Sequence, residues 1–275
     1  MSIHYAEGPP NGPPLVLLHG LARDWKSFSA LLPELSSRFY VFALDLRGHG
    51  KSSRVLHGYR IVDYAVDISA FLQQTVPAGA AIFGHSLGGE TAMCTAANPE
   101  CRVTALIVGD SVISPENFAR SMYAPLFVQL HKLIVNGGSQ QELARGIGKI
   151  ELRIPGFDEV LRIEDLPGNT EPVLMEWARC AMLTDPETLA MMLDGSSFAG
   201  WDPRKTLPQI SCPTLLLQGN PELDALLTDD DVKLALRLLP NAEHVKFPLL
   251  GHALFMQQPK PVLKEISRFL SSLNT

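Results

Sequence analysis

Ser86 stands in Gly84-His85-Ser86-Leu87-Gly88-Gly89, a Gly-x-Ser-x-Gly spacing that can carry a serine on a sharp turn between a strand and a helix. A residue at such a turn takes strained backbone geometry, and neighbours lacking a Cβ let the two elements pass close beside it. The helix that begins near Leu87 aims its unpaired N–H groups and positive dipole end at any anion formed beside the Ser86 hydroxyl. That hydroxyl is a weak nucleophile at neutral pH. It needs a neutral imidazole to take its proton and a carboxylate to hold the imidazole in one tautomer. His252, the last histidine in the chain and adjacent to Gly251, is the candidate base; His244 falls before the final strand, toward its opposite end. The acid is expected on the loop after Gly219, which reads Asn220-Pro221-Glu222-Leu223-Asp224. Asp224 is favoured narrowly over Glu222, and Asp110, at the end of an earlier strand, comes last. An acyl-transfer oxyanion needs two donors, and these are expected from the backbone N–H of Leu87 and, in the loop His19-Gly20-Leu21, of Leu21. His19 is expected to brace that loop.

These groups require strands that end together. Leu15 to Leu18, Phe39 to Leu44 and Ala80 to Phe83 are continuous apolar runs, and Val103 to Val108 is the next buried strand, as expected of strands buried on both faces. Between them, Trp25 to Leu35 and Tyr64 to Gln74 have helical spacing, the second with Ala65, Ile68, Phe71 and Leu72 on one face. A short N-terminal strand precedes the first run. The alternation predicts an α/β fold, a mostly parallel central sheet with helices on both faces and with active-site groups at the carboxyl ends of the strands. His19, Asp45, Ser86 and Asp110 all stand at such ends.

From Val112 to Leu207 the pattern is helical, with segments at Ala124 to Val135, Gln140 to Gly146, Val173 to Leu183 and Glu187 to Leu193 separated by Gly, Pro and Asn signals. The expected organisation is a core of residues 1–111 and 208–275 with a helical cap, 112–207, inserted after the sixth strand. The core resumes with the strand from Pro213 to Gln218, a helix from Asp229 to Leu239, a last strand at Val245 to Phe247, and an amphipathic helix from Pro261 to Leu270.

A chain of 275 residues with 46% hydrophobic and 19% charged residues is an ordinary globular composition. A net charge of −6 and scattered Lys and Arg argue against a nucleic-acid partner. The N-terminus carries no leader pattern and no apolar stretch is long enough to span a bilayer, so neither membrane insertion nor export is expected and a cytoplasmic location is. Cys94, Cys101, Cys180 and Cys212 lack metal-ligand spacing and read as buried free thiols. No cofactor or metal is called for.

With His19-Gly20, Asp45-Leu46-Arg47-Gly48-His49-Gly50, Gly84-His85-Ser86-Leu87-Gly88-Gly89 and Gly251-His252 in this order, the chain resembles the α/β-hydrolase fold superfamily over nearly its full length. Asn220 stands where similar proteins often carry Asp, and the N-terminal strands look abbreviated. Epoxide hydrolases and haloalkane dehalogenases of this fold use an aspartate at the turn; Ser86 instead points to acyl chemistry. The resemblance implies a serine carboxylesterase or lactonase that needs no cofactor, acting on a small apolar ester or lactone. Other cofactor-free reactions of the fold, C–C bond hydrolysis and perhydrolysis, would use the same Ser86 and His252. A ligand sensor with slow turnover would use the site for binding. Met175, Trp177, Met182, Leu183, Met191, Met192, Phe198 and Trp201 would supply the cap's own core and, in part, an adaptable apolar lining.

Overall fold

The computed structural model describes residues 1–153 and 159–273. In chain order the elements are β1 (Tyr5–Glu7), β2 (Pro14–Leu18), α1 (Leu32–Arg38), β3 (Tyr40–Leu44), α2 (Ile61–Thr75), β4 (Ala80–His85), α3 (Leu87–Ala96) and β5 (Val103–Gly109). Next come α4 (Pro115–Arg120), α5 (Tyr123–Asn136), α6 (Gln140–Gly148), β6 (Glu151–Leu152), β7 (Leu161–Arg162), α7 (Glu171–Met182), α8 (Pro186–Leu193) and α9 (Pro203–Thr206). The chain closes with β8 (Thr214–Gln218), α10 (Asp229–Leu238), β9 (Ala242–Lys246) and α11 (Pro259–Ser272).

Seven strands form one sheet in the order β1-β3-β2-β4-β5-β8-β9, with β1 antiparallel to β3 and every other pair parallel. The chain steps from β2 outward to β3, then returns to place β4 on the other side of β2. A crevice opens where the winding reverses, outside the carboxyl ends of β2 and β4. Register aligns those ends: Leu18 pairs with Gly84, His85 with Gly109, and Gly109 with Leu217.

Alternate residues of the strands feed two cores. Val16, Leu18, Ile82, Leu106 and Val108 face α2, α3 and the helices that follow β5. Leu15, Leu17, Phe83 and Ile107 face the side covered by α1 and α11, where Phe28, Phe83 and Phe255 pack ring on ring. Helix α3 is buried almost all round, which explains why its sequence lacks a polar stripe.

The α/β alternation expected from the apolar runs is present, with adjusted ends. The expected helix from Trp25 to Leu35 is a 3₁₀ turn, Trp25–Phe28, followed by α1, because Asp24 caps the first turn and Pro33 starts the second. The helical excursion leaves after β5, five strands into the chain rather than six, since only β1 precedes β2. It is helical as expected except for the two-residue ladder of β6 and β7. Its apolar side chains divide. Met192, Phe198 and Trp201 are buried in the larger core, Met175, Trp177 and Met191 pack half-buried against it, and Met182 is exposed. All four cysteines are free; Cys101 and Cys180 are buried, whereas Cys94 and Cys212 are only half so. Among the described residues no helix is long and apolar enough to cross a membrane.

Candidate active site

Ser86 follows β4 directly, with φ 54° and ψ −126°, and is half-buried. The glycine spacing has a direct cause here. A Cβ on Gly84 would run into the carbonyl of Gly88, and one on Gly88 into the carbonyl of Leu18. Both glycines let α3 descend onto β4 and β2 at the angle that leaves Ser86 at the crest. The N–H groups of Gly89 and Glu90 turn back onto Ser86 O at 2.7 and 3.2 Å. Those of Leu87 and Leu21 meet no acceptor among the described residues.

The loop carrying Leu21 is fixed from behind. His19 donates from Nδ1 to Gly20 O at 2.8 Å and accepts the Leu46 N–H at Nε2, 3.0 Å, so its tautomer is set by two backbone partners. Burial pushes this imidazole down to about 4, and it stays neutral. Asp45, buried at the end of β3, accepts the N–H of Trp25 at 2.9 Å and of Lys51 at 3.0 Å. The glycine-punctuated loop after β3 is thereby tied to the one after β2.

His252 lies six residues beyond β9, and its Nδ1 is 2.6 Å from Asp110 Oδ2. Asp110 is fully buried and follows β5, the strand beside β4. Its carboxylate also accepts the N–H groups of Gly219 (3.1 Å), Leu226 (2.8 Å) and Leu227 (3.3 Å). The acid expected from the sequence is therefore placed differently. Asp224 does reach His252, but at the main chain: its Oδ1 accepts the His252 N–H at 2.6 Å, while its Oδ2 accepts the Tyr123 hydroxyl at 2.9 Å. Glu222 is exposed, and its own N–H is turned onto Asn220 Oδ1. The loop after β8 curls over Asp110 and offers it backbone donors, and the ring of His252 meets that same carboxylate just past β5. His244 lies within β9, its Nε2 2.9 Å from Gln218 Oε1, away from the strand ends.

Two further rings frame the imidazole. His85, immediately before Ser86, donates from Nε2 to His252 O at 2.8 Å and packs ring to ring at 4.7 Å. Burial pushes it down to about 3, so it acts as a neutral donor. Tyr123, the first residue of α5, packs on His252 at a centroid distance of 4.7 Å. His85 is inside the motif, yet nothing in the sequence marks its contact; Tyr123 is 129 positions from His252 and carries no local signal at all.

Backbone strain collects at these positions. Among the described residues the non-glycine residues with positive φ are Ala22, Ser86, Asp110 and Leu254, at 55°, 54°, 41° and 34°. They are the neighbour of Leu21, two of the site residues themselves, and the residue two past His252. Outliers of this kind persist only where the surroundings over-determine them, and they cluster at functional sites.

A profile of the alpha/beta hydrolase fold matches residues 13–259. The chain belongs to that family. Among alpha/beta hydrolases it is 28% identical over 266 residues to the pimeloyl-[acyl-carrier protein] methyl ester esterase of Nitrosomonas europaea, covering 94% of this chain and 96% of the relative. It is 26% identical over 276 residues to the bifunctional esterase/perhydrolase DCH of Acinetobacter calcoaceticus, covering 96% and 94%. A thermophilic esterase from Thermogutta terrifontis superposes with a TM-score of 0.73 at 24% identity, over 99% of this chain and 94% of that one. This alpha/beta hydrolase thus shares its fold and near-complete length with named esterases.

Proposed function

We propose that this alpha/beta hydrolase cleaves a carboxylic ester or lactone through an acyl-enzyme on Ser86, with His252 as general base and Asp110 as the acid that orients it. In this reading Ser86 Oγ attacks the acyl carbon as its proton passes to His252 Nε2. The carbonyl electron pair moves onto oxygen, where the N–H groups of Leu21 and Leu87 donate to it. Collapse breaks the bond to the alcohol oxygen, which takes the proton from Nε2. Water then repeats the sequence: it loses a proton to Nε2, adds to the acyl carbon and frees Ser86 and a carboxylate. For a lactone the alcohol stays attached to the released acid. No metal or redox group takes part in these steps.

The observation that carries this reading is the 2.6 Å contact between His252 Nδ1 and a carboxylate that also accepts three backbone N–H groups. An Nδ1–H pinned in this way leaves the Nε2 lone pair free. The named esterase relatives, spanning more than nine-tenths of this chain, support ester chemistry, one of them as a bifunctional esterase/perhydrolase. The test is release of nitrophenol from 4-nitrophenyl butyrate together with labelling by a fluorophosphonate read by intact mass. Turnover and a single adduct, both lost in Ser86→Ala, are expected. Turnover that survives Ser86→Ala would overturn the assignment.

A further inference from the structure

Two arginines approach the site from different elements, and they are treated very differently by their surroundings. Arg179, on α7, is fully engaged: it meets Asp24 at 2.7 Å and Glu176 at 2.6 Å. Arg23 is two residues past Leu21 on the loop after β2, beside the positive-φ Ala22. Its guanidinium lies over the indole of Trp177, 4.4 Å from the ring centroid. Among the described residues it has no ion pair and no hydrogen-bond acceptor. The carboxylates whose charge acts on it, Asp24 and Glu176, are the two that Arg179 has taken.

A guanidinium offers five N–H donors in one plane and cannot lose its charge, so leaving it half-buried without an acceptor is costly unless something else supplies one. The contact with the Trp177 ring meets the cation's charge and leaves its N–H donors without an acceptor among the described residues. The loop that carries Arg23 and the helix turn that carries Trp177 are both held in place. Trp25 N–H is fixed by Asp45, Lys26 N–H by Asp24 at 3.1 Å, and Trp177 belongs to the same helix turn as the Glu176–Arg179 pair. Arg23 is close enough to the nucleophile end of the sheet for its charge to act on His85 and Tyr123, the two rings that frame His252. Burial opposes its own charge, which an anionic guest would relieve.

Resting on the acyl-transfer reading above, we infer that Arg23 is the receptor for a carboxylate on the substrate, so that the ester this protein takes carries a free acid group on its acyl or alcohol part. A guanidinium suits a planar, two-oxygen anion, because it presents paired donors in one plane. Trp177 and the half-buried Met175 and Met191 would cover the apolar portion between the carboxylate and the reacting carbonyl.

The test compares two esters of equal length, 4-nitrophenyl hydrogen adipate and 4-nitrophenyl hexanoate, in which a carboxylate replaces a terminal methyl. Wild type is expected to favour the adipate in kcat/KM by about tenfold or more, chiefly through KM. In Arg23→Gln the ratio of the two substrates should fall to near one, and Arg23→Lys should restore it in part, since the charge returns without the planar fork. A second arm needs no turnover: adipate titrated into Ser86→Ala should give a calorimetric binding signal that disappears in the Ser86→Ala, Arg23→Gln double variant. A wild type indifferent to the carboxylate, or an Arg23→Gln ratio equal to wild type, overturns the proposal. Loss of both esters' turnover and of phosphonate labelling, with adipate binding intact, would instead sink the acyl-transfer reading and leave the anion site standing.

Discussion

Replacing Asp110 by Asn separates the acid proposed here from Asp224, the one the sequence favours. Four donors converge on this carboxylate: Gly219 and Leu227 N–H at Oδ1, Leu226 N–H and His252 Nδ1 at Oδ2. An amide has one acceptor and one donor end. With its NH₂ at the Oδ1 position, two buried backbone N–H groups face a donor, each costing about 1–3 kcal/mol. With its NH₂ at the Oδ2 position only Leu226 N–H is orphaned, because the imidazole can respond by moving its proton from Nδ1 to Nε2. The second arrangement costs less, and it is fatal to function: Nε2 now carries a proton toward Ser86 and cannot accept one. We expect kcat on 4-nitrophenyl butyrate to fall by about 10⁴, close to 5.5 kcal/mol of transition-state stabilisation, as for loss of the orienting acid in a serine triad. Stability in urea should fall by about 1–3 kcal/mol for the single orphaned donor. Asp224→Asn is the control. Its amide oxygen can still accept the His252 N–H, and the Tyr123 hydroxyl can reverse to accept from the amide nitrogen, so kcat should stay within about tenfold of wild type. An Asp110→Asn enzyme that keeps a tenth of its rate, beside an Asp224→Asn enzyme that loses a thousandfold, would refute this reasoning.

Burial raises Glu90 from 4.5 to about 8 against the opposing Val112 N–H at Oε1, and among the described residues Oε2 has no partner. The folded state thus holds a proton that the unfolded chain releases above 4.5, and this contribution to stability, full below 4.5, is lost as pH rises through about 8. At 1.36 kcal/mol per pH unit the span is worth on the order of 5 kcal/mol. In urea melts Glu90→Gln should therefore gain on wild type between pH 5 and pH 9; an unchanged difference would count against a neutral Glu90. Gly88→Ala should lower stability by about 3 kcal/mol and reduce activity, because its methyl meets the Leu18 and His19 carbonyls and pushes α3, with the Leu87 N–H, off the sheet; a variant with wild-type melting would show that α3 has room to move. Tyr123→Phe keeps the ring on His252 but leaves Asp224 Oδ2 without its hydroxyl donor, so a stability loss of about 1 kcal/mol in thermal melts is expected with kcat changed only a few-fold.

The turn at Ser86 and the sheet around it were legible because both rest on local rules: two glycines at fixed offsets, and apolar runs of four to seven residues between breakers. The acid was not. Asp110 and Asp224 both stand just past parallel strands, and the sequence carries nothing about which loop will fold over the other. What separates them is that Leu226 and Leu227 turn their N–H groups inward onto Asp110, a main-chain arrangement to which side-chain identity is blind. The same holds for His85 and Tyr123, whose partners come from distant segments. The β6 and β7 ladder, at two residues a strand, is too short for alternation to register. Arg23 was hidden for another reason: a charged residue in a loop normally faces solvent, and only the pairing of Arg179 with Asp24 and Glu176 reveals that it lacks a counter-charge.

The four residues held at positive φ all border the proposed reacting groups, and a glycine at any of them would relieve backbone strain, offset by whatever contacts the lost side chain made. Random variation selected only for heat resistance should then drift toward sluggish proteins first, since the cheapest improvements lie where catalysis is assembled. A lineage that keeps a serine at position 86 despite that pull is one in which turnover, rather than endurance, decides which copies survive.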